Sequence, residues 1–218
     1  GGFLQVNCIF LRIIYYRLME TSQKTDAELV QMALRNHNDF LFLIERYSPK
    51  LTRYISRISN ASSEDIQDVL QEVFIKVYKN LNDYDCDLKF SSWIYRIAHN
   101  QLMDFYRKKK SGPKILLSND DYDFFDIIGE NFDLISHAQN DDDKKNVLET
   151  LEKIDGKYKE VLVLRFFEQK DYKEISDILK KPEGTIATLI NRAKKQFKDL
   201  YSQKSHLKLD SNNQETYE

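Results

Sequence analysis

Between Ser62 and Leu81 the sequence SSEDIQDVLQEVFIKVYKNL sets Ile66, Val69, Leu70, Val73, Val77 and Leu81 at spacings of three and four. On a helix of 3.6 residues per turn these six side chains form one stripe, whereas a strand would scatter them over both faces. Ser62 followed three residues on by Asp65 predicts a reciprocal cap at the start of that helix. The same spacing recurs at Leu29, Met32 and Ala33, and again at Phe40, Leu43, Ile44 and Tyr47. With only six glycines and three prolines among 218 residues, little interrupts such runs. An all-α chain is predicted, built as two small helical domains.

The boundary between the domains is written in charge. From Asn119 to Asp143 there are nine acidic residues and no Lys or Arg, beginning with Asp120, Asp121, Asp123 and Asp126. This shift predicts an acidic flexible linker over 111–143, between a domain at 25–110 and another at 144–203. Residues 204–218 read as a polar tail that frays. Residues 1–24 read as an N-terminal extension, non-native or disordered, with Met19 as the natural start. The apolar run at its head is broken by Arg12 and Arg17, so it suits neither a membrane span nor a secretory signal.

Chemistry of the catalytic kind finds little support. No glycine-rich phosphate loop, HExxH or Ser/His/Asp grouping is present, and Cys8 and Cys86 lack metal-ligand spacing. No enzyme activity, cofactor or metal is expected, and two free thiols fit a reducing cytoplasm. A net charge of −2 announces no nucleic-acid partner, so any such case rests on where the charges sit.

Three stretches place charge unevenly. The 62–81 helix leaves Asp65, Asp68, Gln71 and Glu72 outside its apolar stripe, either as a solvated face or as a dock for a basic partner helix. In FSSWIYRIAHNQLMDFYRKKK, Ser91 or Ser92 is expected to cap a helix that buries Ile94, Ile97, Ala98, Leu102 and Phe105. Arg96, Asn100, Arg107 and Lys108 are then free to face outward. Trp93 beside them is either a core residue or a platform for an unstacked base. The closing RKKK suits a helix C-terminus or phosphate contacts equally well. Finally, the region around Tyr172–Lys180, the break at Pro182 and Gly184, and a helix from about Thr185 follow helix-turn-helix spacing, which a plain helical hairpin shares. Thr185 to Lys208 carries six Lys or Arg against one acid.

Taken in order, DIQDVLQEVFIKVY, FSSWIYRIAHNQLMDFYRKKK, YKEVLVLRFFEQKDYKEISDIL and PEGTIATLINRAKKQF resemble segments of the bacterial RNA polymerase sigma factors of the extracytoplasmic-function (ECF) type. The resemblance implies a sigma region 2 bundle and a sigma region 4 helix-turn-helix. It implies that Asp65, Asp68, Gln71 and Glu72 meet the clamp helices of β′. Trp93, Arg96, Asn100, Arg107 and Lys108 would hold the −10 element, with Asn100 at a flipped base, and the acidic linker would thread toward the active-site channel. Thr185, Thr188, Asn191, Arg192 and Lys195 would contact the −35 element. The implied partners are core RNA polymerase, through β′ and the flap of β, promoter DNA and an anti-sigma factor, in the cytoplasm and without membrane insertion. The chain departs from the family pattern at Ala187 and Leu189, where many members carry Lys or Arg, and at Lys180, where many have Gly.

Two readings from other classes compete. A ligand-responsive regulator needs an apolar effector pocket, and an enzyme needs a catalytic constellation. Neither has a signature in the sequence.

Overall fold

The computed structural model describes residues 21, 23–109 and 141–214, with side chains for 146–203 in the second segment. Eight α-helices and no strands occur among the described residues: α1 (Asp26–Arg35), α2 (Phe40–Ile58), α3 (Ser63–Lys79), α4 (Phe90–Lys108), α5 (Asp141–Glu152), α6 (Gly156–Leu162), α7 (Tyr172–Leu179) and α8 (Glu183–Gln214). A single wide π-turn over Val163–Phe167 continues α6.

Local chemistry sets the helix ends. Thr25 and Glu28 cap α1 reciprocally, Ser62 and Asp65 cap α3, and Asp171 and Glu174 cap α7. Each pairing satisfies two backbone N–H groups that a helix start would otherwise leave bare. The predicted stripe of α3 is buried at all six positions, with Val73 and Val77 at 0% exposure. Each such side chain contributes about 1.5–3 kcal/mol relative to an exposed one.

Several expectations shift. Helix α4 begins at Phe90 with Lys89 as its cap, not at Ser91 or Ser92. Ser92 is instead buried within the first turn, its hydroxyl without a hydrogen-bond partner. Packing of Phe90, 3% exposed, draws the cap two or three residues back, to Lys89. Helix α8 begins at Glu183 rather than Thr185, and its backbone stays helical to Gln214, well into the stretch expected to fray. No Gly or Pro follows Gly184 to stop it. Helix α5 starts at Asp141, inside the stretch read as linker. The remainder of that linker, including Asp120, Asp121, Asp123 and Asp126, lies outside the described residues, as does nearly all of 1–24.

The first four helices pack as one bundle, with α3 against α4 and α1 and α3 against α2. In the second half α6 and α7 pack on α8. The halves also meet: α7 lies along α4, while α6 and the π-turn reach α2. One buried apolar cluster therefore runs from Leu29 through Ile94 to Phe197.

Candidate protein- and nucleic-acid-binding surfaces

On α3 the side chains outside the buried stripe point to solvent. Asp68, Gln71 and Glu72 are exposed, and Asp65 is half-buried. Lys109 Nζ reaches both Asp65 oxygens at 2.9 and 2.8 Å. That ammonium, together with the Ser62 cap, holds the Asp65 carboxyl below its ordinary range. Asp65 is thus tied to the end of α4, while Asp68 and Glu72 are the exposed acids of the strip.

Beside the strip lies an apolar cleft that sequence reasoning missed. Phe40, Ile44, Phe74, Ile75 and Tyr78 line it, with Gln71 and Lys79 at its edge. Ile75 is 40% and Tyr78 44% exposed. The signal was present: Phe74, Ile75 and Tyr78 are large apolar residues that fall off the buried stripe of their own helix. Such residues in a contiguous patch mark a surface that another molecule covers.

Helix α4 divides its candidates. Arg96, Asn100 and Arg107 recur at spacings of four and seven and so share one face. Asn100, Arg107 and Lys108 are exposed and Arg96 is half-buried. Arg107 also pairs with Asp104 one turn earlier. Trp93 is different. It is only 9% exposed, packed against Tyr84 and Phe90 at ring separations of 5.2 and 5.6 Å. In this arrangement the indole is part of the core, and most of its face is unavailable to a base. Lys76 of α3 donates to Gln101 and lies 3.6 Å from Asp104, so α4 is fixed against the helix bearing the acidic strip.

In the second half α7 ends on Lys180, whose φ of 53° is left-handed. A Gly adopts that conformation without cost, whereas the Cβ of a Lys crowds the backbone there. Helix α8 then buries Ile186, Ile190, Ala193 and Phe197 at 0–2% exposure. Thr185, Thr188, Arg192 and Lys195, at spacings of three, four and three, lie on the opposite side, and Asn191, Arg192 and Lys195 are exposed. The Thr188 hydroxyl donates to the Gly184 carbonyl at 2.9 Å. Leu189 does not share that face. It lines a cavity of about 240 Å³ between the halves, with Ile58, His99, Met103, Glu160 and Leu179.

Among the described residues no group of three or more His, Cys, Asp or Glu could hold a metal ion. Nor is any described helix long and apolar enough to cross a membrane.

An acidic strip beside an apolar cleft, a helix with an Arg/Asn/Arg face and a helix-turn-helix with a polar outer face are the surfaces that could meet other macromolecules. The Sigma-70 region 2 family matches residues 43–112, and the Sigma-70 region 4 family matches 144–197. The ECF RNA polymerase sigma-E factor of Haemophilus influenzae is 30% identical over 189 residues, covering 79% of this chain and 93% of the relative. SigW of Bacillus subtilis, an ECF RNA polymerase sigma factor, is 29% identical over 78% of this chain and 95% of its own length. The chain belongs to the ECF sigma factors. It binds core RNA polymerase, directs it to promoters by recognising −10 and −35 elements, and helps melt the DNA for initiation.

Solved structures share the fold. CnrH, in complex with the cytosolic domain of CnrY, superposes with a TM-score of 0.59 at 23% identity, over 82% of this chain and 98% of that one. RpoE of Bartonella quintana, in complex with the anti-sigma factor NepR, gives 0.55 at 16% identity, over 75% and 97%.

Proposed function

We propose that region 2 occupies residues 25–110 and region 4 residues 144–203, with the work divided among three surfaces. Asp65, Asp68, Gln71 and Glu72 meet the clamp of core polymerase, and the cleft at Ile75 and Tyr78 extends that contact with apolar surface. Arg96, Asn100, Arg107 and Lys108 hold the displaced strand at the −10 element, where Trp93 supports the helix from beneath and stacks on a base only at its exposed rim. Thr185, Thr188, Asn191, Arg192 and Lys195 contact the −35 element. The acidic stretch between the domains acts in the active-site channel. No step requires catalysis by this chain or a cofactor, since strand separation is offset by stacking and by phosphate neutralisation. The cytoplasm is its place of action, and an anti-sigma partner restrains it, as NepR partners the similarly folded RpoE.

The observation that carries this reading is the Arg96/Asn100/Arg107 face, with Asn100 and Arg107 exposed and Arg96 half-buried, on a helix fixed against the α3 strip. Asn100→Ala is the cleanest test, because Asn100 is exposed and its loss leaves the core intact. We expect open-complex formation on a duplex promoter to fall, and transcription from a template already unpaired at −10 to be spared, because there the unpairing cost has been met. Equal activity of variant and parent on the duplex would sink the assignment.

A further inference from the structure

The cavity between the halves has no motif to announce it, because its lining comes from separate helices. Ile58 of α2, Met103 of α4, Leu179 of α7 and Leu189 of α8 supply its aliphatic part. His99 of α4, Lys157 and Glu160 of α6, and Lys181 from the turn before α8 supply its polar part. None of the residues assigned to polymerase or DNA lines it. Bonds between the halves hold its walls in place. Glu160 accepts the Tyr54 hydroxyl at 2.6 Å, and His99 Nδ1 lies 2.7 Å from the same oxygen. Further along, Glu168 accepts from Arg57 at 3.3 Å, and Lys89 lies 3.2 Å from Asp171 and 3.5 Å from Glu174. The cavity is therefore preformed.

Its charges favour an anion. Among the described lining residues Glu160 is the one carboxylate, and it is already shared by His99 and Tyr54. The exposed Lys181 has no carboxylate partner among the described residues. With Nδ1 on Glu160, Nε2 is the ring nitrogen of His99 left for an anion. The apolar part selects the body that such an anion carries. No described lining residue is Phe, Tyr or Trp, so a ring would find nothing to stack on, whereas Ile, Met and Leu side chains suit an alkyl chain. A volume of about 240 Å³ equals roughly eight water molecules at about 30 Å³ each, which admits a medium-length chain but no nucleotide or phospholipid. We propose that this cavity binds a medium-chain aliphatic carboxylate, its chain among Ile58, Met103, Leu179 and Leu189 and its carboxylate toward Lys157, Lys181 and His99. Convergent polar groups at one end of an apolar cavity orient such a ligand.

The site is also sensitive to pH. Burial works against a charged His99, but the Glu160 carboxylate outweighs it and holds the imidazole pKa above its ordinary value, with Lys181 opposing. The groups facing His99 are Glu160 and Lys157 from α6, Lys181 from the turn before α8, and Tyr54 of α2 through their shared carboxylate. A raised folded pKa gives stability that is present below the ordinary value of about 6.5 and lost as pH rises through the folded one. The same proton adds a positive charge to the polar end of the cavity. Carboxylate binding therefore weakens on the alkaline side.

The test is calorimetric titration of the full chain with octanoate at pH 6 and pH 9. We expect one saturable site at pH 6 and a thermal midpoint that rises with octanoate concentration. Hexanoate, two CH₂ groups shorter, should bind about tenfold more weakly, since each buried CH₂ is worth about fourfold in affinity. Octan-1-ol, with the chain but no charge, should also bind more weakly, and octylammonium should not bind. Lys181→Glu should weaken octanoate by about tenfold, and because Lys181 is exposed the fold should survive. Leu189→Trp should fill the cavity and abolish binding; if that variant fails to fold, Lys181→Glu with an unchanged circular dichroism spectrum decides the matter. Raising the pH from 6 to 9 should weaken octanoate several-fold in the parent but not in His99→Gln. Absence of saturable octanoate binding overturns the proposal. So does binding that Lys181→Glu leaves unchanged, which would put octanoate elsewhere, as in the cleft of Phe40, Ile75 and Tyr78. Octan-1-ol binding as tightly as octanoate overturns the choice of a carboxylate.

Discussion

Lys180 shows how one residue can hold a backbone conformation that its own side chain disfavours. Its φ of 53° places Cβ against the backbone at the end of α7, and only Gln169, at 54°, shares that conformation among the described non-glycine residues. For an L-residue the left-handed region costs about 1–2 kcal/mol, part of which a glycine returns as entropy of the unfolded chain. Lys180→Gly should therefore stabilise the second half by roughly 0.5–1 kcal/mol, read as a higher urea midpoint at unchanged slope. An unchanged midpoint would mean that the Lys180 side chain compensates through contacts of its own. Trp93 teaches the opposite lesson. The sequence left it between core and ligand contact, and its packing on Tyr84 and Phe90 places it in the core. Truncating it to Ala would cost about 3–5 kcal/mol and confuse a folding defect with a binding one.

At the scale of the element, α3 was the most legible part of the chain. Its stripe, its Ser62/Asp65 cap and its acidic outer strip follow from spacing alone, because a helix with one buried face repeats every three or four residues whatever it packs on. Which acids are available does not follow from spacing. Asp65 is engaged by Lys109, so Asp68 and Glu72 carry the exposed charge. Asp68→Lys should leave helicity and thermal unfolding unchanged, since the residue is exposed, and should weaken core polymerase binding by tenfold or more, about 1.4 kcal/mol. Titration of labelled protein with core polymerase measures it; an unaltered affinity would remove Asp68 from the interface. Helix α8 was legible in its period but not in its rotation. Leu189 and Ala187 were read as gaps in a DNA-contacting face, whereas Leu189 faces the first half. A substitution there acts on the contact between halves before it acts on DNA.

At the scale of the molecule, the halves share a core and a polar seam, in which Glu160 meets His99 and Tyr54 and Glu168 meets Arg57 and Tyr95, so they should not melt independently. Thermal unfolding of the full chain should give one main transition, with a midpoint that falls between pH 6 and pH 9 as His99 loses its proton. His99→Gln should flatten that part of the profile. Two separate transitions at pH 6 would show that the seam contributes nothing to stability. Lys89 and Asp171 are 63% and 53% exposed, so that pair adds little and weakens in salt. Arg57 with Glu168 and His99 with Glu160 are the more buried pairs and should hold at ionic strengths that screen the first.

The sequence by itself determined the helical class, the burial of the α3 stripe, the family and the approximate place of each motif. These depend on short-range periodicity, capping and local charge, all properties of neighbours along the chain. Only the tertiary structure decided that Trp93 is buried, that Asp65 is engaged, and that Leu189 and four carboxylates of the second half turn toward the first. Apart from Trp93, which packs on Tyr84 and Phe90 nearby in the chain, those outcomes depend on residues more than 40 positions apart, such as Asp65 with Lys109 and Tyr54 with Glu160. Contacts across such separations carry no periodic signature, because they are fixed by how two finished surfaces fit, not by how either surface is spaced.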